Sequence, residues 1–279
     1  MVTHKHNKSP ALFVSDAIHD VVTKKQTALQ KRNSLVENEE RKNSHQPSVS
    51  NTLKIKLDHL KTFEPLTENQ AKFFEAYKRG DYFMGLFGSA GTGKTFCSLL
   101  KGLEEVMDKS NSFRRIVVVR SCVQTRDVGY LPGSIDEKQE IYELPYKEIC
   151  TTLFDRPDAW DRLKESGYAR FISTTAIRGI SIDDSVVIVD EAANMTFQEL
   201  DTIITRIGYR SKIIFVGDIN QNDLQKSKHD VSGLPRFIKI ARNMEEFTEI
   251  SFTTDDIVRS SLVKSYILSK EEFGESLIL

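Results

Sequence analysis

Gly88-Ser89-Ala90-Gly91-Thr92-Gly93-Lys94-Thr95 is a glycine-rich octet closed by a lysine and a threonine. An apolar run, Tyr82-Phe83-Met84-Gly85-Leu86-Phe87, precedes it, and Phe96-Cys97-Ser98-Leu99-Leu100 follows with helical character. This feature constrains the fold most, because such a loop works only as strand, tight turn and helix N-terminus in that order. Its glycines let consecutive backbone N–H groups converge on one concavity that holds an anion. In that arrangement Lys94 reaches the β- and γ-phosphates and the Thr95 hydroxyl ligates Mg²⁺. The expected ligand is a nucleoside triphosphate, held by Gly88, Ser89, Ala90, Gly91, Thr92, Gly93, Lys94 and Thr95.

The rest of the chain agrees with a fold built on such a loop. Short β-branched or aromatic runs at 82–87, 115–120, 170–174, 186–190, 212–217 and 249–253 read as strands buried on both faces. Helical segments alternate with them at 67–79, 94–108, 137–153, 156–166, 196–206, 231–243 and 256–269. That alternation predicts an α/β fold, a parallel sheet with helices on both sides. Leu53-Lys54-Ile55-Lys56-Leu57 alternates with period 2, as an edge strand would. Residues 1–50 differ: they lack glycine and are rich in Lys, Asn, Ser, Gln and His, which predicts a flexible, solvated or partly helical tail before a domain at 51–279.

Composition excludes more than it assigns. The net charge of −1 gives no global field toward nucleic acid or membrane. No apolar stretch approaches the roughly 18 residues needed to span a bilayer. The N-terminus lacks a secretory apolar segment, so the expectation is the cytoplasm, without a membrane partner. Cys97, Cys122 and Cys150 are far apart and fit reduced thiols, with Cys97 a packed structural thiol. Five of the six histidines lie before residue 60, which argues against histidine chemistry in the core.

Two further strands end in polar residues where α/β sheets bind ligands. Val186-Val187-Ile188-Val189 runs into Asp190-Glu191. Asp190 suits the carboxylate behind Mg²⁺, and Glu191 sits where a general base would activate the attacking water. The other strand ends Gly217-Asp218-Ile219-Asn220-Gln221, placing Gln221 to sense the γ-phosphate or the lytic water.

With these motifs assembled, residues Leu66 to Ile267 resemble the PhoH family of ATPases, related to the RecA-like core of superfamily 1 helicases. The resemblance rests on the glycine-rich octet, Gly129-Tyr130-Leu131-Pro132-Gly133 with Glu137-Lys138, and Arg178-Gly179. It continues through Val187 to Ala192, Thr205 to Lys212, Gly217 to Gln221 and Phe252 to Arg259. Ala193-Asn194 departs from the glutamine-asparagine more usual there. The resemblance implies a RecA-like three-layer sandwich, ATP and Mg²⁺ as ligands, and ATP hydrolysis with candidate helicase activity.

It also implies that Gln70 reads adenine, since a side-chain amide matches adenine's N6 and N7. Phe73, Phe74 and Tyr77 are expected to pack as core. Arg259 ranks first, ahead of Arg206 and Arg210, as the arginine that meets charge on the γ-phosphate. A superfamily 1 helicase closes its site between two lobes, and the residues after position 50 are too few for two. The resemblance therefore favours a homo-oligomeric ring, with a hexamer as the candidate. The tail lacks the clustered Asp residues of the nuclease domain that some relatives carry, so no nuclease activity is expected; a short tail also resembles phage-encoded members, which would act in the host cytoplasm.

Arg120-Ser121-Cys122-Val123-Gln124-Thr125-Arg126 follows a strand where helicase-like proteins touch the nucleic-acid backbone, and its side chains suit phosphates. Two functions stand open on the sequence. One is an ATPase coupled to RNA or single-stranded DNA, whose turnover rises with polynucleotide. The other is an ATP-switched assembly protein whose hydrolysis ignores nucleic acid. A small-molecule kinase comes third, because no lid arginines or acceptor pocket can be recognised.

Overall fold

The computed structural model describes residues 55–122, 135–218 and 232–276. Six strands form one sheet: β1 (Phe83–Gly88), β2 (Arg115–Arg120), β3 (Ala169–Ser173), β4 (Ser185–Asp190), β5 (Lys212–Gly217) and β6 (Phe247–Phe252). Their order is β3-β2-β4-β5-β1-β6, and every neighbouring pair is parallel. The six strands expected between residues 82 and 253 are each present within two residues of their expected ends.

Alternation along each strand divides the core into two layers. Met84, Leu86, Ile116, Val118, Ile188 and Ile214 face one side, where helices α1 (Glu68–Arg79), α2 (Lys94–Met107), α3 (Ile135–Phe154) and α4 (Ala159–Glu165) supply Phe73, Leu99, Leu103, Tyr146 and Trp160. Phe83, Phe87, Val117, Val119, Val187 and Phe215 face the other, where α5 (Phe197–Ile204) and α6 (Leu234–Ala241) supply Leu200, Ile203, Phe237 and Ile238. Each buried aliphatic or aromatic side chain contributes about 1.5–3 kcal/mol relative to exposure. This is the expected α/β three-layer sandwich.

Local chemistry sets the helix ends that position the site. The Thr67 side chain accepts from the Gln70 N–H and caps α1. Thr196 and Glu199 form a reciprocal capping box at the start of α5. Two expectations are corrected. Residues 55–57 form no strand, and Leu57–His59 is a turn of 3₁₀-helix. The last helix, α7 (Ser261–Ser276), starts five residues later than its pattern suggested, because Thr253 caps a separate 3₁₀ turn over Thr254–Asp256. The tail, the segment 129–133 and residues 219–221 lie outside the described residues. Among the described residues, no helix is long and apolar enough to cross a membrane.

Because the strands are parallel, β1, β4 and β5 all end at the same edge of the sheet. β5 lies between the other two, so the glycine-rich loop after β1 and the acidic pair at the end of β4 flank its last residue, Gly217, and the Asp218 that follows.

Candidate functional site

A cleft of about 820 Å³ opens at this carboxyl edge. Its floor is the glycine-rich loop. Gly88 has φ +125°, and a Cβ there would lie 1.8 Å from the Phe252 carbonyl oxygen of β6. Only glycine fits, for conformation and for space. Gly93 precedes α2 with φ +80°. The first intrahelical bond of α2 is Cys97 N–H to Gly93 O, at 2.9 Å. The N–H groups of Lys94, Thr95 and Phe96 therefore have no intrahelical acceptor and converge with the positive end of the helix dipole.

Lys94 is buried and, among the described residues, has no carboxylate partner at ion-pair distance. Its Nζ donates to Gly88 O (2.9 Å), Ser89 O (2.6 Å) and Thr92 Oγ1 (3.1 Å). Burial lowers its pKa to about 8, against the opposing influence of Asp218, Asp190 and Glu191. The Thr95 hydroxyl donates to Asp190 Oδ1 at 2.9 Å, joining the loop to the end of β4. Asp190 Oδ2 accepts from the Tyr146 hydroxyl of α3 at 2.8 Å. Burial, then the Asp190 charge, push the Tyr146 phenol well above its ordinary value, so it remains a donor.

Glu191 follows in the left-handed region, φ +54°, turning the chain into the 3₁₀ turn Ala192–Asn194 and facing the cleft. A non-glycine residue held there costs of the order of 1 kcal/mol, and such strain concentrates at functional sites. Ala193-Asn194 lies in this turn.

Gln70 is clamped at both ends. Its Oε1 accepts from Leu66 N–H (2.8 Å) and its Nε2 donates to the Thr92 carbonyl (2.9 Å). Beyond these two bonds the amide keeps one hydrogen and one lone pair, and Gln70 lines the cleft. Phe73 and Tyr77 are buried core, as expected. Phe74 is only partly buried, and it lines the cleft with Phe63, Leu66 and Ile149 as an apolar slot beside Gln70. Sequence reasoning missed Phe63 and Ile149, which lie in segments without a local motif.

Arg259 lies against the loop. Val258 N–H donates to Gly91 O at 3.1 Å, and the Arg259 Cγ fills the space beside Gly91. Asp256 anchors that segment, accepting from Asn69 Nδ2 (2.7 Å) and Thr253 N–H (2.9 Å). Arg206 and Arg210 sit elsewhere, at the amino edge of the sheet: the Arg206 carbonyl accepts from Ile182 N–H, and Arg210 pairs with Asp184. Gln221 lies outside the described residues. Cys97 is buried and its thiol is pushed up to about 12, which suits the packed role expected of it.

A family model described as PhoH-like protein matches residues 62–270. The chain belongs to the PhoH-like family. It is 30% identical over 230 residues to a PhoH-like protein of Mycobacterium leprae (strain TN), covering 82% of this chain and 64% of that one. A PhoH-like protein of Bacillus subtilis (strain 168) is 30% identical over 253 residues, 90% of this chain and 73% of the relative. The chain thus spans about two thirds of the length of the mycobacterial relative. A solved structure titled for DNA unwinding by two coordinating Pif1 helicases aligns at 15% identity with a TM-score of 0.29, over 67% of this chain and 44% of that one. That likeness is too distant to carry an argument.

The family membership and the parallel sheet give this chain a P-loop NTPase fold. The donor set fits magnesium. Among the described residues no three His, Cys, Asp or Glu side chains are grouped to hold a metal by themselves. A hydroxyl and a carboxylate beside a phosphate-binding loop are what Mg²⁺ uses, since it completes its octahedron with phosphates and waters.

Proposed function

We propose that this chain is a Mg²⁺-dependent ATPase of the PhoH type, coupled to RNA or single-stranded nucleic acid. The observation that carries the reading is the pairing of Thr95 with Asp190 beside a buried Lys94 whose acceptors, among the described residues, are backbone carbonyls and a hydroxyl. A cation buried on carbonyl oxygens can exchange them for phosphate oxygens without breaking an ion pair. Thr95 and Asp190 would hold Mg²⁺, which neutralises charge on the β- and γ-phosphates. Gln70 reads the adenine edge with its remaining donor and acceptor, and Phe63 and Phe74 flank the base. Glu191 takes the proton of the attacking water, Gln221 senses the γ-phosphate, and Arg259 meets the charge that develops on it. Arg120 and Ser121, at the end of β2, form the nucleic-acid side of the same edge.

ATP hydrolysis by wild type and Glu191→Gln, each with and without RNA, tests this reading. Loss of the base should lower turnover by about 10²–10⁴-fold with ATP binding retained. RNA should raise wild-type turnover, an effect that weakens steeply with salt. Unchanged turnover in Glu191→Gln would remove Glu191 from the role.

A second reading, an ATP-switched homo-oligomer, has one observation in its favour. α7 leaves Leu262, Tyr266 and Phe273 exposed at 78%, 69% and 70%, a stripe at helical spacing that directly follows Arg259. A second copy of the chain, in a ring of up to six, would cover it and close the cleft. Light scattering with ATP present tests this: a strict monomer at working concentration defeats the ring, and hydrolysis indifferent to RNA would favour assembly over nucleic-acid coupling.

A further inference from the structure

We propose that Tyr146 is the positioning residue of the metal side of this cleft, fixing the Asp190 carboxylate in the orientation in which Asp190 and Thr95 take up Mg²⁺ together. The inference rests on the ATPase reading and adds to it a residue and an element that no phosphate-loop motif contains.

Asp190 is buried, and its two oxygens have separate donors. Thr95 Oγ1 serves Oδ1 and Tyr146 OH serves Oδ2, at 2.9 and 2.8 Å. The Thr95 hydroxyl is the partner that must turn toward a metal, so the bond that stays to hold the carboxylate is the one from Tyr146. That phenol is itself immobilised. It is fully buried between Trp160 and Phe171, with ring centroids 5.6 and 6.0 Å away.

The helix that carries it is held as well. The buried Glu143 of α3 accepts from Trp160 Nε1 and from Lys164 Nζ of α4. Arg120, opposite Asp190 in the register of β2 and β4, reaches the Tyr142 carbonyl at 3.5 Å. A rigid donor on a locked helix is how a carboxylate near a metal is oriented, and removing such a donor typically costs 10–100-fold in metal affinity. A tyrosine that merely fills the core would show no such selectivity for the metal.

The test is nucleotide affinity by calorimetry, using a non-hydrolysable ATP analogue with and without Mg²⁺. Wild type, Tyr146→Phe, Asp190→Asn and the double variant are compared. Mg²⁺ should tighten wild-type binding, and Tyr146→Phe should shrink that enhancement by about tenfold or more. Its affinity for the metal-free analogue should stay within about twofold, because the phosphate loop is untouched. On the Asp190→Asn background the Phe substitution should add nothing further.

An undiminished Mg²⁺ enhancement in Tyr146→Phe, or a full additional loss in the double variant, overturns the proposal alone. A wild type that binds no analogue overturns the ATPase reading and this proposal with it. Should Tyr146→Phe fail to fold, hydrogen exchange in wild type and Asp190→Asn decides the matter. Mg²⁺ should add protection at residues 142–148 beyond that given by the analogue, and Asp190→Asn should abolish the addition; its survival overturns the proposal.

Discussion

Lys94 and Lys212 are both buried, at opposite ends of the same parallel sheet, in very different company. Lys212 opens β5 at the amino edge, where its Nζ meets Glu105 at 2.8 Å and lies 4.2 Å from the centroid of the Tyr77 ring. Tyr77 donates to the same Glu105, so charge and hydrogen bonds close within the protein. Lys94, at the carboxyl edge, has backbone carbonyls and a hydroxyl, and its charge is disfavoured by burial. A buried cation with its own carboxylate is a structural device. On the proposed reading, one held by neutral acceptors is kept for an anion that comes from outside. The contrast extends along both edges, since Arg114 and Arg210 share Asp184 at the amino edge.

Replacing each lysine by methionine separates the two cases. Lys94→Met should lower ATP affinity at least about a hundredfold, from the loss of its charged contacts to two phosphates. It should also stabilise the unliganded fold, by roughly 3 kcal/mol, because a lysine lowered from 10.5 to about 8 penalises the folded state at neutral pH. Lys212→Met should do the reverse. It leaves Glu105 short of a partner, costs about 2–4 kcal/mol, and leaves ATP affinity within about twofold. Thermal melts with calorimetry check both, and a Lys94→Met protein that melts lower yet binds ATP normally would erase the distinction.

The pH dependence follows with a definite sign. The folded protein binds fewer protons at Lys94 than the unfolded chain between about pH 8 and 10.5. This group's contribution therefore makes stability rise with pH across that window, the penalty being complete below about 8. Binding runs the other way, since phosphates favour the charged amine. ATP affinity should fall by up to about tenfold per pH unit above about 8, with proton uptake on binding. Calorimetry at pH 9 in two buffers of different ionisation enthalpy measures that uptake. It should vanish in Lys94→Met and persist in Lys212→Met.

Most of this fold was legible in the chain, for one reason. Strands buried on both faces, such as Val117-Val118-Val119 and Val187-Ile188-Val189, must be apolar throughout, so each declares itself locally. The phosphate loop is legible because backbone geometry demands its glycines at fixed places, Gly88 against Phe252 above all. What is not legible depends on contacts distant in sequence. Tyr146 lies 44 residues from Asp190, in a helix containing Pro145, where nothing local marks it out. The Gln70 amide is legible in the sequence, but its clamp on the Thr92 carbonyl is not. The late start of α7 has the same origin. Asp256 reads as a helix residue, yet Asn69 recruits its carboxylate and holds it in a 3₁₀ turn.

The smallest expected effect belongs to Arg210. Its partner Asp184 keeps Arg114 at 3.6 Å, and the Arg210 side chain is half exposed. Arg210→Ala should therefore cost less than about 1 kcal/mol, read as a small shift in the melting midpoint. Arg210 also lies across the sheet from its own phosphate loop, so turnover in dilute, monomeric protein should not change. Varying protein concentration makes this informative. A turnover defect that appears only when the protein assembles would place Arg210 against a neighbour's phosphates, and the amino edge would then serve catalysis in the adjoining subunit. A defect already present in the monomer would mean that the two edges are coupled through the sheet, and the division between a structural lysine and a ligand-binding one would no longer follow the ends of the strands.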